Sequence, residues 1–79
     1  MYIPEEAEKL FRECLNIAEG DMFRLDKIYV IMRRKGWTPK KTRYWLKYLF
    51  DKDFLAWEVQ FSIVRITDWG RKHVSGNDY

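Results

Sequence analysis

The chain has 79 residues, of which 47% are hydrophobic and 18% aromatic, and its formal net charge is +3. This length predicts one domain with a single small core, and so many bulky apolar residues exclude a disordered chain. No apolar run reaches the length of about 18 residues that crosses a bilayer, and the acidic N-terminus does not look like a signal peptide. We therefore expect a cytoplasmic protein (in the host cytoplasm if it is viral) with no membrane partner.

The residue types that build catalytic and metal sites are scarce. Cys14 and His73 are the only cysteine and the only histidine, which excludes an internal disulfide and leaves no cluster for zinc. No Ser/His/Asp arrangement, phosphate-binding loop or pair of carboxylates in an apolar setting is present. The sequence predicts no enzyme, no cofactor and no metal. Cys14 is expected to be a small buried hydrophobe, with a cross-link between two copies as the alternative.

The first predicted element is a helix from about Pro4 to Glu19. Proline suits a first helical turn, and the three glutamates that follow Pro4 favour a helix N-terminus. Apolar residues then recur at spacings of three and four between Ala7 and Ala18, which gives one apolar stripe. Gly20 is expected to stop the helix.

A short extended segment, 22–24, and a second helix are predicted next. Asp26 is expected to cap this helix, which reaches Lys35 and is ended by Gly36, with Trp37 filling the turn. Only about three residues separate it from the following helix, which is the spacing and glycine placement of a helix-turn-helix. The residues expected to face the core are Leu25, Ile28, Ile31 and Met32.

The third predicted helix spans about residues 38–52. Thr38 is a good N-cap, and Pro39 fits the first helical position, where its missing N–H costs nothing. At about 100° per residue the helix has an apolar and a basic face. The apolar face carries Thr42, Trp45, Leu46 and Leu49; the opposite face carries Lys40, Arg43, Tyr44 and Lys47, flanked by Lys41 and Tyr48.

Beyond residue 53 the apolar periodicity changes from that of a helix to that of strands. Residues 54–59 and 62–67 are rich in β-branched and aromatic types, so they predict an antiparallel hairpin over about 54–67. The link at Gln60 and Phe61 has no typical turn sequence, which leaves the position of the turn open. Thr67 and Asp68 are expected to cap a short closing helix through residue 73, and the tail 75–79 is expected to fray.

This order of elements, with its tight glycine turn and basic third helix, resembles a winged helix-turn-helix domain over about residues 10–74. LDKIYVIMRRKGWTPKKTRYWLKYLFDKDFLAW resembles the family's cap, helix, glycine turn and recognition helix. RITDWGRKHV resembles the segment after the wing in many bacterial and archaeal regulators, with Gly70 and Arg71 in the usual places. Residues 42, 46 and 49 match those that anchor the recognition helix. The nearest type is a small regulator of archaea, or of their viruses or plasmids.

The resemblance implies an α+β fold in one domain, 1–79, with a three-helix core, a β-hairpin wing and a possible short C-terminal helix. Asp53 departs from the glycine usual after the recognition helix, but aspartate tolerates a left-handed conformation. The wing also departs from the pattern, since Arg65 is its only cation and Glu58 lies near it.

Positive charge is concentrated in the middle of the chain. Between Lys27 and Phe50 there are eight Lys or Arg residues and no acid. Residues 1–26 carry three basic and seven acidic side chains, and residues 51–79 carry four basic and five acidic ones. Such polarity predicts a polyanionic partner, and double-stranded DNA fits best.

Within this basic block, the third helix carries the candidate site. Its outer face is expected to enter a major groove and meet base edges through Lys40, Arg43, Tyr44 and Lys47. Arg43 suits guanine because its guanidinium is planar, whereas the lysines at 40, 41 and 47 are better suited to hold phosphates. A merely solvated face is the alternative, but no acid before Asp51 is placed to pair with these cations along the helix.

Other candidates have two readings. Arg33, Arg34 and Lys35 suit either phosphate contact or the negative end of the second helix dipole, and Tyr44 suits either DNA contact or partial burial. Arg65 is the candidate from the wing. The sequence thus predicts a sequence-specific DNA-binding transcriptional regulator; the alternatives are a protein–protein module and a replication-associated or single-strand binder that relies on aromatic stacking.

We expect this regulator to be a homodimer that associates through helix one or the segment 69–74, because single DNA-binding modules commonly double up. The chain has only three Asn and Gln residues but many Lys, Arg and Glu, a balance typical of a thermophilic source.

Overall fold

Residues 3–76 are described in the computed structural model, with side chains described as far as His73. The helices are α1 (Glu5–Ile17), α2 (Leu25–Arg34), α3 (Pro39–Asp51) and α4 (Asp68–Gly76); the strands are β1 (Met22–Arg24), β2 (Leu55–Val59) and β3 (Ile63–Ile66). The strands form an antiparallel sheet in the order β1-β3-β2. The predicted α+β class is confirmed, and the arrangement is compatible with a winged helix.

The core lies between α1, α2, α3 and the sheet. Every one of these elements contributes fully buried apolar side chains, because no element of a domain this small can bury its apolar face alone. Phe11 of α1 meets Phe54 edge to face at 5.6 Å between ring centroids. The fully buried large side chains include Leu10, Phe11, Ile28, Met32, Leu49, Phe54, Leu55, Val64 and Ile66.

α3 adopts the predicted rotation. Thr42, Leu46 and Leu49 are buried, whereas Arg43 and Lys47 are exposed. Trp45, predicted to face inward, is only partly buried and packs against the edge of the core. The predicted start is also confirmed, since the hydroxyl of the N-cap threonine at position 38 accepts a hydrogen bond of 3.1 Å from a backbone N–H of the first turn.

α2 and α3 end in the same backbone motif. Gly36 has a φ of 92°, and the N–H of Trp37 donates to the carbonyl of Met32 at 2.9 Å. Asp53 has a φ of 62°, and the next N–H donates to the carbonyl of Leu49 at 2.9 Å. A left-handed residue followed by this bond satisfies the last free carbonyls of a helix. Both stops were predicted, including the left-handed Asp53.

The predicted end of α1 was wrong. The helix ends at Ile17 rather than at residue 19, and Gly20 does not stop it. Gly20, with a φ of 66°, instead lies in a tight turn in which the N–H of Glu19 donates to the carbonyl of Met22 at 2.9 Å. The helix ends early because the following residues turn so that β1 can pair with β3. The carbonyl of Asp21, in this turn, accepts a hydrogen bond of 2.6 Å from the N–H of Ile66 in β3.

The predicted cap of α2 was also wrong. The helix begins at Leu25, directly after the extended residue Arg24, and Asp26 lies inside its first turn. The Asp26 carboxylate binds the guanidinium of Arg24 at 3.0 Å rather than a backbone N–H. The N–H of Leu25 donates to the carbonyl of Ser62 at 2.9 Å, so the wing, remote in sequence, takes over part of the capping role.

The predicted hairpin, for which we keep the name wing, is confirmed as β2 and β3, with an irregular register between Trp57 and Val59. The turn between the strands, left open by the sequence, is closed by a hydrogen bond of 2.9 Å from the N–H of Ser62 to the carbonyl of Val59. Phe61, the third residue of this turn, has a φ of 62°.

The predicted closing helix is confirmed as α4 but is longer than expected. Thr67 caps it, since its hydroxyl oxygen accepts a hydrogen bond of 3.0 Å from the N–H of Gly70 and donates one of 2.6 Å to the carbonyl of Asp53. The helix passes His73 and includes residues 75 and 76, which were predicted to fray. The rest of that tail, 77–79, lies outside the described residues.

Gly70 allows α4 to approach the end of α3 closely. A Cβ at this position would lie 2.7 Å from the backbone oxygen of Phe54, which is a severe overlap. The neighbouring Arg71 holds the other side of α4, with its guanidinium 2.8 Å from the carboxylate of Asp21. In this chain, Gly70 thus permits close packing of α4 on Phe54, and Arg71 anchors α4 to Asp21.

The buried face of α3 gives a stability prediction. Leu46→Ala is expected to lower the free energy of unfolding by about 2–5 kcal/mol, because the surrounding core cannot collapse fully into the cavity. Lys40→Ala, on the exposed face of the same helix, is the control and should change it by no more than about 0.5 kcal/mol. Urea denaturation followed by tryptophan fluorescence measures both. Equal losses in the two variants would contradict the observed rotation of α3.

Candidate nucleic-acid interface

α1 supplies acidic partners to two cations of the basic block. Lys41 of α3 pairs with Glu6, and Lys35 at the end of α2 pairs with Glu13 at 3.2 Å. Lys41 also lies over the ring of Trp37, 4.3 Å from its centroid. The absence of acids along the third helix therefore did not leave Lys41 unpaired, and Lys35 is paired as well. Sequence reasoning compared charges along one helix, whereas these acids arrive from another helix that packs across it.

The ion pair between Glu6 and Lys41 lowers the pKa of the Glu6 carboxyl group. The hydrogen bond from Lys41, helped by its charge and by that of Lys9, holds the pKa of Glu6 below its ordinary value of 4.5, although burial opposes the shift. The side chains are 34% and 40% exposed, so solvent screens this interaction only in part.

Two further predicted site residues have local partners. Lys47 contacts Asp51 one helical turn later, at 3.0 Å, and both side chains are more than half exposed. Arg65 contacts Glu58 across the wing, also at 3.0 Å. Exposed pairs of this kind contribute little to stability and open readily. Lys47, the more exposed of the two cations, thus remains accessible to an anion, whereas the less exposed pair on the wing partly neutralises Arg65.

The other cations of the block are free. Among the described residues, no carboxylate lies within 4.0 Å of their side chains. All of them are exposed, on the outer faces of α2 and α3. A dense group of unpaired cations is unfavourable in an isolated protein and favours an anionic ligand. These residues are Lys27, Arg33, Arg34, Lys40 and Arg43.

Tyr29 joins this surface and was missed by the sequence analysis. It lies on α2, one helical turn after Leu25, and lines a shallow pocket with Pro39, Lys40 and Arg43 of α3. Partial burial raises the pKa of Tyr29, and the charge of Arg43 opposes that rise. Its position next to the core residue Ile28, at the border of the apolar stripe of α2, could have indicated a half-buried tyrosine beside α3. The phenol adds a hydrogen-bonding group and a ring face beside the predicted base-reading residues.

The wing packs beside α3 through aromatic rings. Phe50 of α3 stacks on Trp57 of β2 at 4.5 Å, and Trp57 meets Phe61 edge to face at 5.5 Å. A groove between α2, α3 and the wing results. Its lining is largely apolar, with charged groups among it: Leu25, Tyr29, Leu46, Phe50, Trp57 and Phe61, with Arg43, Lys47 and Asp51.

The remaining predicted site residue, Tyr44, is 65% exposed on the outer face of α3 and meets the neighbouring Trp45 at 4.9 Å. The outer face of α3 therefore brings together Lys40, Arg43, Tyr44 and Lys47 as predicted, with Tyr29 added from α2. Lys35 and Lys41 are turned toward acids of α1. Arg65 stands on the wing.

The residue types considered for other chemistry lie apart from this surface. Cys14 is fully buried, and burial raises the pKa of its thiol, so the expected buried hydrophobe is confirmed. His73 packs against the rings of Phe54 and Trp69. Within residues 3–76, no three His, Cys, Asp or Glu side chains are grouped to hold a metal ion. None of the described helices is long and apolar enough to span a membrane.

A scan against protein-family models, a search of curated proteins and a search of solved structures each found no match to the chain.

The charged pair of Glu6 and Lys41 should make the stability of the fold depend on pH, and removal of the Glu6 carboxylate should weaken that dependence. Because the pKa of Glu6 is lower in the folded than in the unfolded chain, the charged pair stabilises the fold above about pH 4.5 and is lost as the pH falls through the lowered value. Glu6→Gln should therefore reduce the loss of stability on acidification, measured by thermal unfolding at several pH values. Glu5→Gln is the control, since that carboxylate is more exposed and lies 3.6 Å from Lys9. Equal pH profiles for Glu6→Gln and the parent protein would contradict the pairing.

Proposed function

We propose that the protein binds double-stranded DNA sequence-specifically and acts as a transcriptional regulator, by placing α3 in the major groove. The observation that carries the proposal is the group of exposed cations without carboxylate partners on the outer faces of α2 and α3. A helix docked on a core by one face, with cations on the other, has the width and charge that a major groove accepts.

The roles of the residues follow from their positions. Arg43 lies in the second turn of α3, exposed and unpaired, and its planar guanidinium matches the two acceptors of guanine. Lys40 precedes it by about one turn and suits a phosphate, as do Arg33 and Arg34 at the end of α2. Lys47 can exchange Asp51 for a phosphate because that pair is exposed. Lys41 contributes less, because it is held by an acid and a ring.

Two alternatives compete with this proposal. A winged helix that serves as a protein–protein module has no need of so many unpaired cations around α3. A single-strand or replication-associated binder relies on aromatic stacking, and the aromatic groove beside the wing keeps that alternative open. Affinities for duplex and single-stranded probes of the same sequence separate the three, since a protein-binding module should bind neither probe.

Salt dependence tests the proposed function directly. The cations not assigned to base reading are Lys27, Arg33, Arg34, Lys40 and Lys47, enough for about five phosphate contacts. The log–log slope of affinity against salt should therefore be near −4 to −5, at about −0.9 per contact. Fluorescence anisotropy with duplexes at several salt concentrations measures the slope. An affinity that does not change with salt would exclude the nucleic-acid interface.

Arg43 and Lys47 should separate base reading from phosphate binding. Arg43→Ala should lower affinity for the preferred duplex by about 1–3 kcal/mol and relax the preference at one base pair, if its guanidinium reads guanine. Lys47→Ala should weaken binding to all duplexes alike and reduce the salt slope by about one. Both variants should melt within a few degrees of the parent, because both side chains are exposed. Unfolding of either variant would contradict these roles.

We also propose that the protein is cytoplasmic and acts as a two-fold dimer. Trp69 of α4 is 49% exposed, which is unusual for tryptophan and fits a contact surface on the C-terminal helix. α1 offers the other candidate surface. Two α3 helices about 34 Å apart would match successive major grooves. Sedimentation at tens of micromolar, with and without DNA, tests this; a monomer under both conditions would refute the dimer.

A further inference from the structure

The turn of the wing differs from the rest of the candidate interface because it has no charge. Residues 59–62 read Val-Gln-Phe-Ser, and the only cation of the wing, Arg65, is bound to Glu58. Phe61 is 74% exposed and Val59 is 53% exposed. A wing that grips phosphates needs cations at its tip. This wing presents an aromatic ring instead.

The backbone holds Phe61 in an unfavourable conformation. Its φ of 62° lies in the left-handed region, which bulky residues rarely adopt and which glycine adopts without cost. The N–H of Ser62 closes the turn by donating to the carbonyl of Val59, and the carbonyl of Ser62 accepts a hydrogen bond from the N–H of Leu25 at the start of α2. The ring is mostly exposed, so burial does not compensate for the strain. Strained residues on a rigid scaffold often serve a function.

The surroundings of Phe61 indicate what its ring contacts. It meets Trp57 by one edge, at 5.5 Å, and borders the groove that also contains Tyr29 and Arg43. Arg43 has no carboxylate partner among the described residues. An exposed aromatic side chain next to further aromatic rings, at the border of a positively charged surface, is a combination that binds an unstacked nucleobase.

We propose that Phe61 stacks on an unpaired nucleobase adjoining the duplex that α3 holds. The inference rests on the proposed duplex binding and deepens it. In an intact duplex the base faces are covered by their neighbours, so an aromatic ring stacks only on a base that has left the stack. The protein therefore prefers duplexes that contain an unpaired base, with α3 and its cations on the paired part and the wing on the exposed base.

Three probes of mixed sequence at low salt test the proposal: an intact duplex, the same duplex with one bulged base, and the corresponding single strand. The bulged duplex should bind at least about fivefold more tightly than the intact one, as expected for one base stacked on an aromatic ring. Phe61→Ala should abolish this preference and leave affinity for the intact duplex within about twofold. Phe61→Trp should keep the preference.

Three further variants test whether the ring itself is responsible for the preference. Phe61→Gly removes both the ring and the strain, so it should fold at least as well as Phe61→Ala and also lose the preference. Val30→Ala, which removes an exposed apolar side chain of α2, should keep it. Phe61→Leu should lose it, because an apolar side chain without a ring cannot stack; a preference retained by this variant would overturn the stacking.

The results also separate this inference from the function beneath it. Equal binding of intact and bulged duplexes by the parent protein, with a steep salt dependence, would overturn the role of Phe61 and leave duplex binding intact. Failure to bind any probe would overturn both. An affinity for the bulged duplex that is the same in the parent and in Phe61→Ala would show that the ring serves another partner, such as a protein, and would also overturn the stacking.

Discussion

The structure depends on the burial of one face of α3 under α1. Thr42, Leu46 and Leu49 lie on that face, and their burial determines the rotation of the helix. Lysine and arginine cannot be buried without a partner, so the cations of α3 are left on the outer face. The same contact that gives this small domain its core therefore also creates its candidate site.

The packing of α1 has a second, electrostatic consequence. Its acidic side chains reach two cations of the basic block, so the positive surface is narrower than the sequence suggests. Glu6 neutralises Lys41 on the side of α3 nearest to α1, while Lys40 and Arg43 point away from it. A positive field confined to one side orients an anionic ligand as well as attracting it. For the proposed DNA complex, α1 would thus limit the direction of approach.

The wing packs directly against the helices, and the two parts present different kinds of surface. The stack of Phe50 on Trp57 and the backbone bond from Leu25 to Ser62 hold the wing against α3 and α2. α3 contributes charge and hydrogen-bonding groups, whereas the wing contributes an aromatic tip without charge. This packing matters for the proposal because the proposed stacking and groove contacts would reinforce each other only if their separation were fixed. The strained Phe61 is consistent with such a preorganised tip.

The sequence alone determined the features that depend on neighbouring residues. The start of α3 at Thr38 and Pro39, its rotation, and the stops at Gly36 and Asp53 all follow from local capping and from helical periodicity. Only the tertiary structure decided the features that need residues distant in sequence. The pairing of β1 with β3 ended α1 early, the carbonyl of Ser62 replaced the expected cap of α2, and α1 brought Glu6 to Lys41. Tyr29 joined the candidate site for the same reason. Which side chains share a surface is set by how helices and strands pack, and a one-dimensional pattern does not contain that information.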